Sequence, residues 1–240
     1  MPSSNGSFSA CRRLLGIGCA VGGALLTALC GHAEMPDYVR AALNAFSPEP
    51  PPNWAYTLTT VRNTEARATA RFDPRKPAGQ QWTLTELNGR PATADEAGQY
   101  SRARAGDTTP ASARGAFQKR DIDPASVTVI SENAERGEFR CTFRPEAASA
   151  DKMLGHLELR LTIARERPHV EKAVLKLKEP YSPILGVKMR ELLVEMTFTA
   201  PTADRPSLPL GQASHFTGRW IFFGMEENLV LTYSDFSAGR

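Results

Sequence analysis

The sequence predicts an α+β protein that is mainly antiparallel β: a strongly curved, incomplete β-barrel of about nine or ten strands with a few helices on its concave side. Three observations carry this expectation. Most segments beyond residue 53 alternate apolar and polar side chains with period two, most clearly where Leu157, Leu159, Leu161 and Ile163 interleave with Glu158, Arg160 and Thr162. The links between these segments are too short for a helical crossover, which leaves antiparallel pairing. Only two segments have helical periodicity, too few to cover so large a sheet as a second layer unless the sheet wraps around them. A flatter two-sheet sandwich is the alternative architecture.

Residues 1–33 run from a polar start through Arg12 and Arg13 into an uncharged stretch, and end in Gly31, His32 and Ala33. That order is the order of a cleavable secretory signal, and the small residues at 31 and 33 suit a signal peptidase. The uncharged run over residues 14–29 is short of the roughly 20 residues that span a bilayer, and it is glycine-rich. Residues 34–240 then form one mature domain, expected in the periplasm and soluble after cleavage. Cys30 is a poorer candidate for lipid attachment, because Leu29 stands where that processing prefers a small side chain. The twin-arginine address that Arg12 and Arg13 suggest is poorly matched by their surroundings.

In the mature part, Val39, Ala42, Leu43 and Phe46 recur at helical spacing behind Pro36, which predicts a short amphipathic helix over residues 36–46. Pro48, Pro50, Pro51 and Pro52 form an extended spacer. Trp54, Tyr56 and Leu58 alternate with Ala55, Thr57 and Thr59 in the first strand, and a second spans residues 66–72. Residues 81–85 form a third, closed by a tight turn at Asn88 and Gly89. Thr93 and Glu96 have the spacing of a capping box, which starts a second helix that runs to about residue 103. Residues 106–112 read as a polar loop. Further strand faces follow: Phe139, Cys141 and Phe143; Leu157 to Ile163 as above; Ala173, Leu175 and Leu177; Leu192, Val194, Met196 and Phe198; Phe216, Gly218, Trp220 and Phe222; and Leu229, Leu231 and Tyr233.

Composition narrows the function. Removing residues 1–33 takes two arginines and no acids from 29 basic and 26 acidic residues, leaving a net charge of about +1. Such a domain has no electrostatic footprint for nucleic acid. Cys11, Cys19 and Cys30 lie in the signal, so Cys141 alone remains and the mature chain has no intramolecular disulfide. Set between Phe139 and Phe143, it reads as a small core residue rather than a reactive thiol.

No nucleophile elbow or glycine-rich phosphate loop is present. His156, His169 and His215 match no metal-ligand spacing, so no metal or cofactor is expected. Asp37, Asp73, Glu86 and Asp235 sit near turns or strand ends with no spacing that pairs them for acid–base work. Arg102, Arg104, Arg114, Lys119 and Arg120 form a basic cluster around the polar loop, suited to anionic lipid head groups or an acidic partner, or simply a solvated face.

The large apolar side chains are the more informative signal. Trp54, Tyr56, Trp82, Leu159, Leu161, Met196, Trp220 and Phe222 are candidates to line an apolar cavity, because a curved sheet with few covering helices leaves concave area for a lipid chain. The competing reading is a filled core. The element order, with its signal, N-terminal helix, the run Trp54-Ala-Tyr-Thr-Leu, a strand meander interrupted by a helix, and a closing Leu231-Thr-Tyr-Ser-Asp-Phe, resembles the periplasmic lipoprotein-carrier superfamily typified by LolA and LolB. The segment Arg71-Phe-Asp-Pro-Arg-Lys-Pro-Ala-Gly-Gln-Gln-Trp-Thr-Leu is also similar to uncharacterised exported proteobacterial proteins.

That resemblance is architectural. It implies an incomplete barrel with helices as a lid, and it carries over no binding residue. The expected function is a non-enzymatic, monomeric periplasmic binding protein that holds a lipid, an acyl chain or a lipoprotein. The alternative is an envelope scaffold with a packed barrel and a protein partner. A hydrolase using scattered carboxylates with His156 or His215 is the third and weakest reading.

Overall fold

The alternating segments become strands of one antiparallel sheet in a computed structural model that describes residues 35–105 and 117–239. β1 (Trp54–Arg62), β2 (Ala66–Phe72), β3 (Trp82–Leu87) and β4 (Arg90–Pro91) make one meander. β5 (Thr128–Glu132), β6 (Arg136–Cys141), β7 (Leu157–Ala164), β8 (His169–Leu177), β9 (Val187–Phe198), β10 (Pro209–Trp220) and β11 (Phe223–Ala238) make a second. The last strand pairs with the first, so the order across the sheet is β4-β3-β2-β1-β11-β10-β9-β8-β7-β6-β5. All pairings are antiparallel, as the short links require.

One expectation needs correction. The described sheet has eleven strands rather than nine or ten, because β4 is only two residues long and β5 buries no residue, so neither carries an apolar alternation. The sheet is open among the described residues: β4 and β5 each have one neighbour, and no pairing joins them.

Both predicted helices form. α1 (Asp37–Ala45) buries Val39, Ala42 and Leu43, and Phe46 behind it returns to extended geometry. α2 (Ala94–Ala103) starts at the expected capping box: Thr93 Oγ1 accepts from the Glu96 amide at 3.3 Å, and the Glu96 carboxylate accepts from the Thr93 amide at 2.8 Å. α3 (Pro145–Ala150) and α4 (Lys152–Gly155) were not legible, since α3 buries no side chain and α4 is a single turn.

Arg90 also donates to Glu96, at 2.6 Å, and these bonds hold its carboxyl near 2 instead of the ordinary 4.5. A carboxylate with a depressed folded-state pKa stabilises the fold above its unfolded value and loses that contribution as pH falls through the folded one. Wild type is therefore expected to lose stability between pH 4.5 and 2 relative to Glu96→Gln. Urea melts of the two proteins across that range would detect it, and parallel pH profiles would refute it.

Side chains directly opposite each other across an antiparallel ladder point to the same face. One row of such partners is Phe139, Leu161, Ala173, Met196, Gln212 and Leu231. The next is Cys141, Leu159, Leu175, Val194, Ser214 and Leu229. The same face continues onto β1–β3 through the partners Leu58, Ala70 and Leu84, and Tyr56, Phe72 and Trp82.

Two separate cores form on this face. The larger gathers α1 and α4 with β6–β9, and the smaller gathers α2 with β1–β3 and β11. Gly137 in β6 is required where α1 docks, since a Cβ there would lie 2.6 Å from the Tyr38 hydroxyl and from the Phe139 ring. From Met35 onward the chain is one compact unit that contains every described strand and both cores. No helix among the described residues is long and apolar enough to cross a membrane. The signal expected over residues 1–33, with Cys30, lies outside the described residues.

Candidate functional site

The face shared by the two cores is apolar nearly throughout, and the part between them is only partly covered. Leu192, Val194, Gln212, Ser214, Phe216 and Leu229 on β9–β11 are all only half-buried. Leu192, Val194 and Phe216 pack against the larger core, and Leu229 packs against the smaller. Gln212 and Ser214 put two polar side chains at the centre of the strip, and the Ser214 hydroxyl donates to the Leu229 carbonyl at 3.5 Å. The arrangement is an apolar strip with a polar middle, chemically suited to an extended hydrocarbon chain that carries one polar group.

The eight residues expected to line a cavity divide into four groups. Leu159, Leu161 and Met196 are buried in the larger core. Tyr56 and Trp82 are buried in the smaller one, where Tyr56 meets the rings of Phe72, Trp82, Tyr233 and Phe236 at centroid distances of 5.2 to 5.8 Å. Trp54 is half-buried at the start of β1, beside the bulge that separates Ala55 from Thr57.

Trp220 and Phe222 join neither core and are 58% and 89% exposed. The expected strand face ran through both residues, but the β10–β11 hairpin turns between them: Trp220 pairs with Phe223, and Ile221 and Phe222 form the turn. Sequence reading missed the half-buried strip because Gln212 and Ser214 interrupt its apolar pattern on β10. The one available signal was the row of apolar residues on its neighbours β9 and β11.

The remaining candidates stay dispersed. Burial pushes the Cys141 thiol up to about 12, which keeps it protonated and unreactive. His156 stacks on Tyr181 with centroids 4.0 Å apart, His169 is buried against the Arg167 carbonyl at 2.6 Å, and His215 meets Asn228 at 2.8 Å. No group of three metal-ligating side chains occurs among the described residues. Asp37 is engaged by Arg40, Asp73 by Arg75, Glu86 by Thr69 and Asp235 by Ser234.

The basic cluster also separates. The Arg104 guanidinium lies over the Trp82 ring at 5.1 Å and over the Tyr100 ring at 5.3 Å. Lys119 donates to the Asn44 carbonyl. With Arg120, Arg144, Leu43 and Ile122, Lys119 lines a cavity of about 410 Å³ beside the end of α1. Arg114 lies outside the described residues. No family model, no curated protein and no solved structure matches the chain.

Proposed function

We propose that this protein is a non-enzymatic periplasmic binding protein that takes a lipid, an acyl chain or a lipoprotein on the apolar face of a curved, incomplete barrel. The observation that carries the reading is the half-buried strip of Leu192, Val194, Phe216 and Leu229 between two separately packed cores. A filled core has no use for apolar side chains left half open to water, and burying methylene groups against them contributes about 0.8 kcal/mol each. An open antiparallel sheet with helices packed on its apolar face at both cores leaves that strip partly uncovered.

The envelope scaffold is the second reading. It is favoured by the tight packing of Tyr56, Leu159 and Leu161, each at most 1% exposed.

Native mass spectrometry of the mature protein, purified gently from a periplasmic extract and then incubated with palmitate or phosphatidylglycerol, separates the two. A retained acyl ligand, lost in Val194→Trp and Ser214→Trp variants, is the expected result. An unchanged apo mass after both incubations overturns the carrier reading and leaves the scaffold.

A further inference from the structure

Three features that do not serve folding coincide at one end of the sheet. The first is exposed apolar surface on two adjoining turns. Ile184 and Leu185, between β8 and β9, are 66% and 102% exposed, while Ile221, Phe222 and Phe223 of the β10–β11 hairpin are 50%, 89% and 72% exposed. The turns are joined, because the Ile221 amide donates to the Gly186 carbonyl at 2.6 Å.

The second feature is the conformation of Ile221, whose φ is +53°, a region that β-branched residues avoid. The two-residue turn between β3 and β4 meets the same demand with Asn88 and Gly89, the inexpensive solution. A turn selected for stability alone would not hold Ile and Phe.

The third is charge. Lys188 and Arg219 are directly opposed across the ladder and both exposed, a like-charge pairing that opposes the sheet. Arg190 adds a further cation; the nearest acids, Glu179, Glu191 and Glu226, lie behind these cations, just outside residues 180–190 and 216–225, with Glu191 and Glu226 opposite Thr217. The tip thus calls for an anionic partner.

We infer that this tip docks on an anionic lipid bilayer. The order of residues along the hairpin favours a bilayer over a protein groove. Phe222 and Leu185 are outermost, Trp220 and Phe223 form the next pair, and Lys188 with Arg219 follow. A membrane presents its chemistry in that sequence with depth: acyl chains, then the interface that tryptophan prefers, then phosphates. The inference is independent of the carrier reading, since the tip residues are not in the half-buried strip.

The test uses residues 35–240, the compact unit with both cores, because the apolar stretch at residues 14–29 would itself bind lipid. Co-sedimentation is measured with vesicles of phosphatidylcholine alone and of phosphatidylcholine mixed equally with phosphatidylglycerol. Binding is expected on the anionic vesicles and should weaken when salt rises from about 0.05 to about 0.5 M. Brominated lipid should quench part of the tryptophan emission in the native protein and none of it in Trp220→Phe.

Phe222→Ser with Phe223→Ser should weaken binding at least about tenfold, and Lys188→Glu with Arg219→Glu should remove the preference for anionic vesicles. Circular dichroism checks the fold of each variant, and the bromolipid result on native protein stands without them. Absence of sedimentation, or sedimentation without quenching of Trp220, overturns the inference. So does a self-association that the double serine variant dissolves while vesicles remain unbound, which would assign the tip to a second copy of the chain.

Discussion

Leu159→Asp is expected to abolish the cooperative melting of this protein, while Trp220→Asp leaves melting nearly unchanged. Leu159 is fully buried on β7, opposite Cys141 on one side and Leu175 on the other. Truncating such a side chain to alanine typically removes about 2–5 kcal/mol, and placing an unpaired carboxylate in the same apolar site adds a penalty of several kcal/mol more. The sum is comparable to the whole stability of an ordinary domain, about 5–15 kcal/mol. Trp220 lies at the hairpin tip, more than half exposed, and exchanges of that kind usually shift stability by less than about 0.5 kcal/mol. Thermal melts followed by circular dichroism on both variants decide the matter. Native-like melting of Leu159→Asp would mean that the register of β7 is wrong by one residue.

Tyr56→Ala is expected to cost about 3–5 kcal/mol, as for other large-to-small changes at buried aromatic sites. The ring sits at the centre of the smaller core, with Phe72 at 5.2 Å, Trp82 at 5.8 Å, and Tyr233 and Phe236 each at 5.7 Å. These partners come from β2, β3 and β11, so removing the ring from β1 loosens the junction between the two meanders as well as the core beneath α2. Urea titration gives the number, with Tyr56→Phe as the control that keeps the ring. A loss below about 1 kcal/mol would show that the smaller core is not packed around Tyr56.

The places where sequence reading succeeded and failed share a physical logic. Thr93 with Glu96, and Asn88 with Gly89, were readable because capping and tight turns are local chemistry, decided within four residues. The hairpin at Ile221 and Phe222 was unreadable for the same reason: neither residue has turn chemistry, so the alternation continued unbroken through them in the sequence. β5 escaped notice as an edge strand because all five of its residues are exposed. The candidate site was half legible. Tyr56, Trp82, Leu159, Leu161 and Met196 do point to the apolar face, yet all five lie in packed cores, while the strip left half open contains Leu192, Val194, Phe216 and Leu229.

The sequence by itself determined which side of each long strand is apolar, where the two main helices start, and that the strands pair antiparallel. Each follows from periodicity, capping or link length along a short stretch of chain. Only the tertiary structure decided that β11 returns to pair with β1, that the sheet stays open, and that α1 and α4 pack into one core and α2 into the other, leaving the strip between them half bare. Those outcomes depend on contacts between residues more than 150 positions apart, such as Leu58 with Tyr233, and no local pattern encodes which of several equally apolar strands becomes a neighbour.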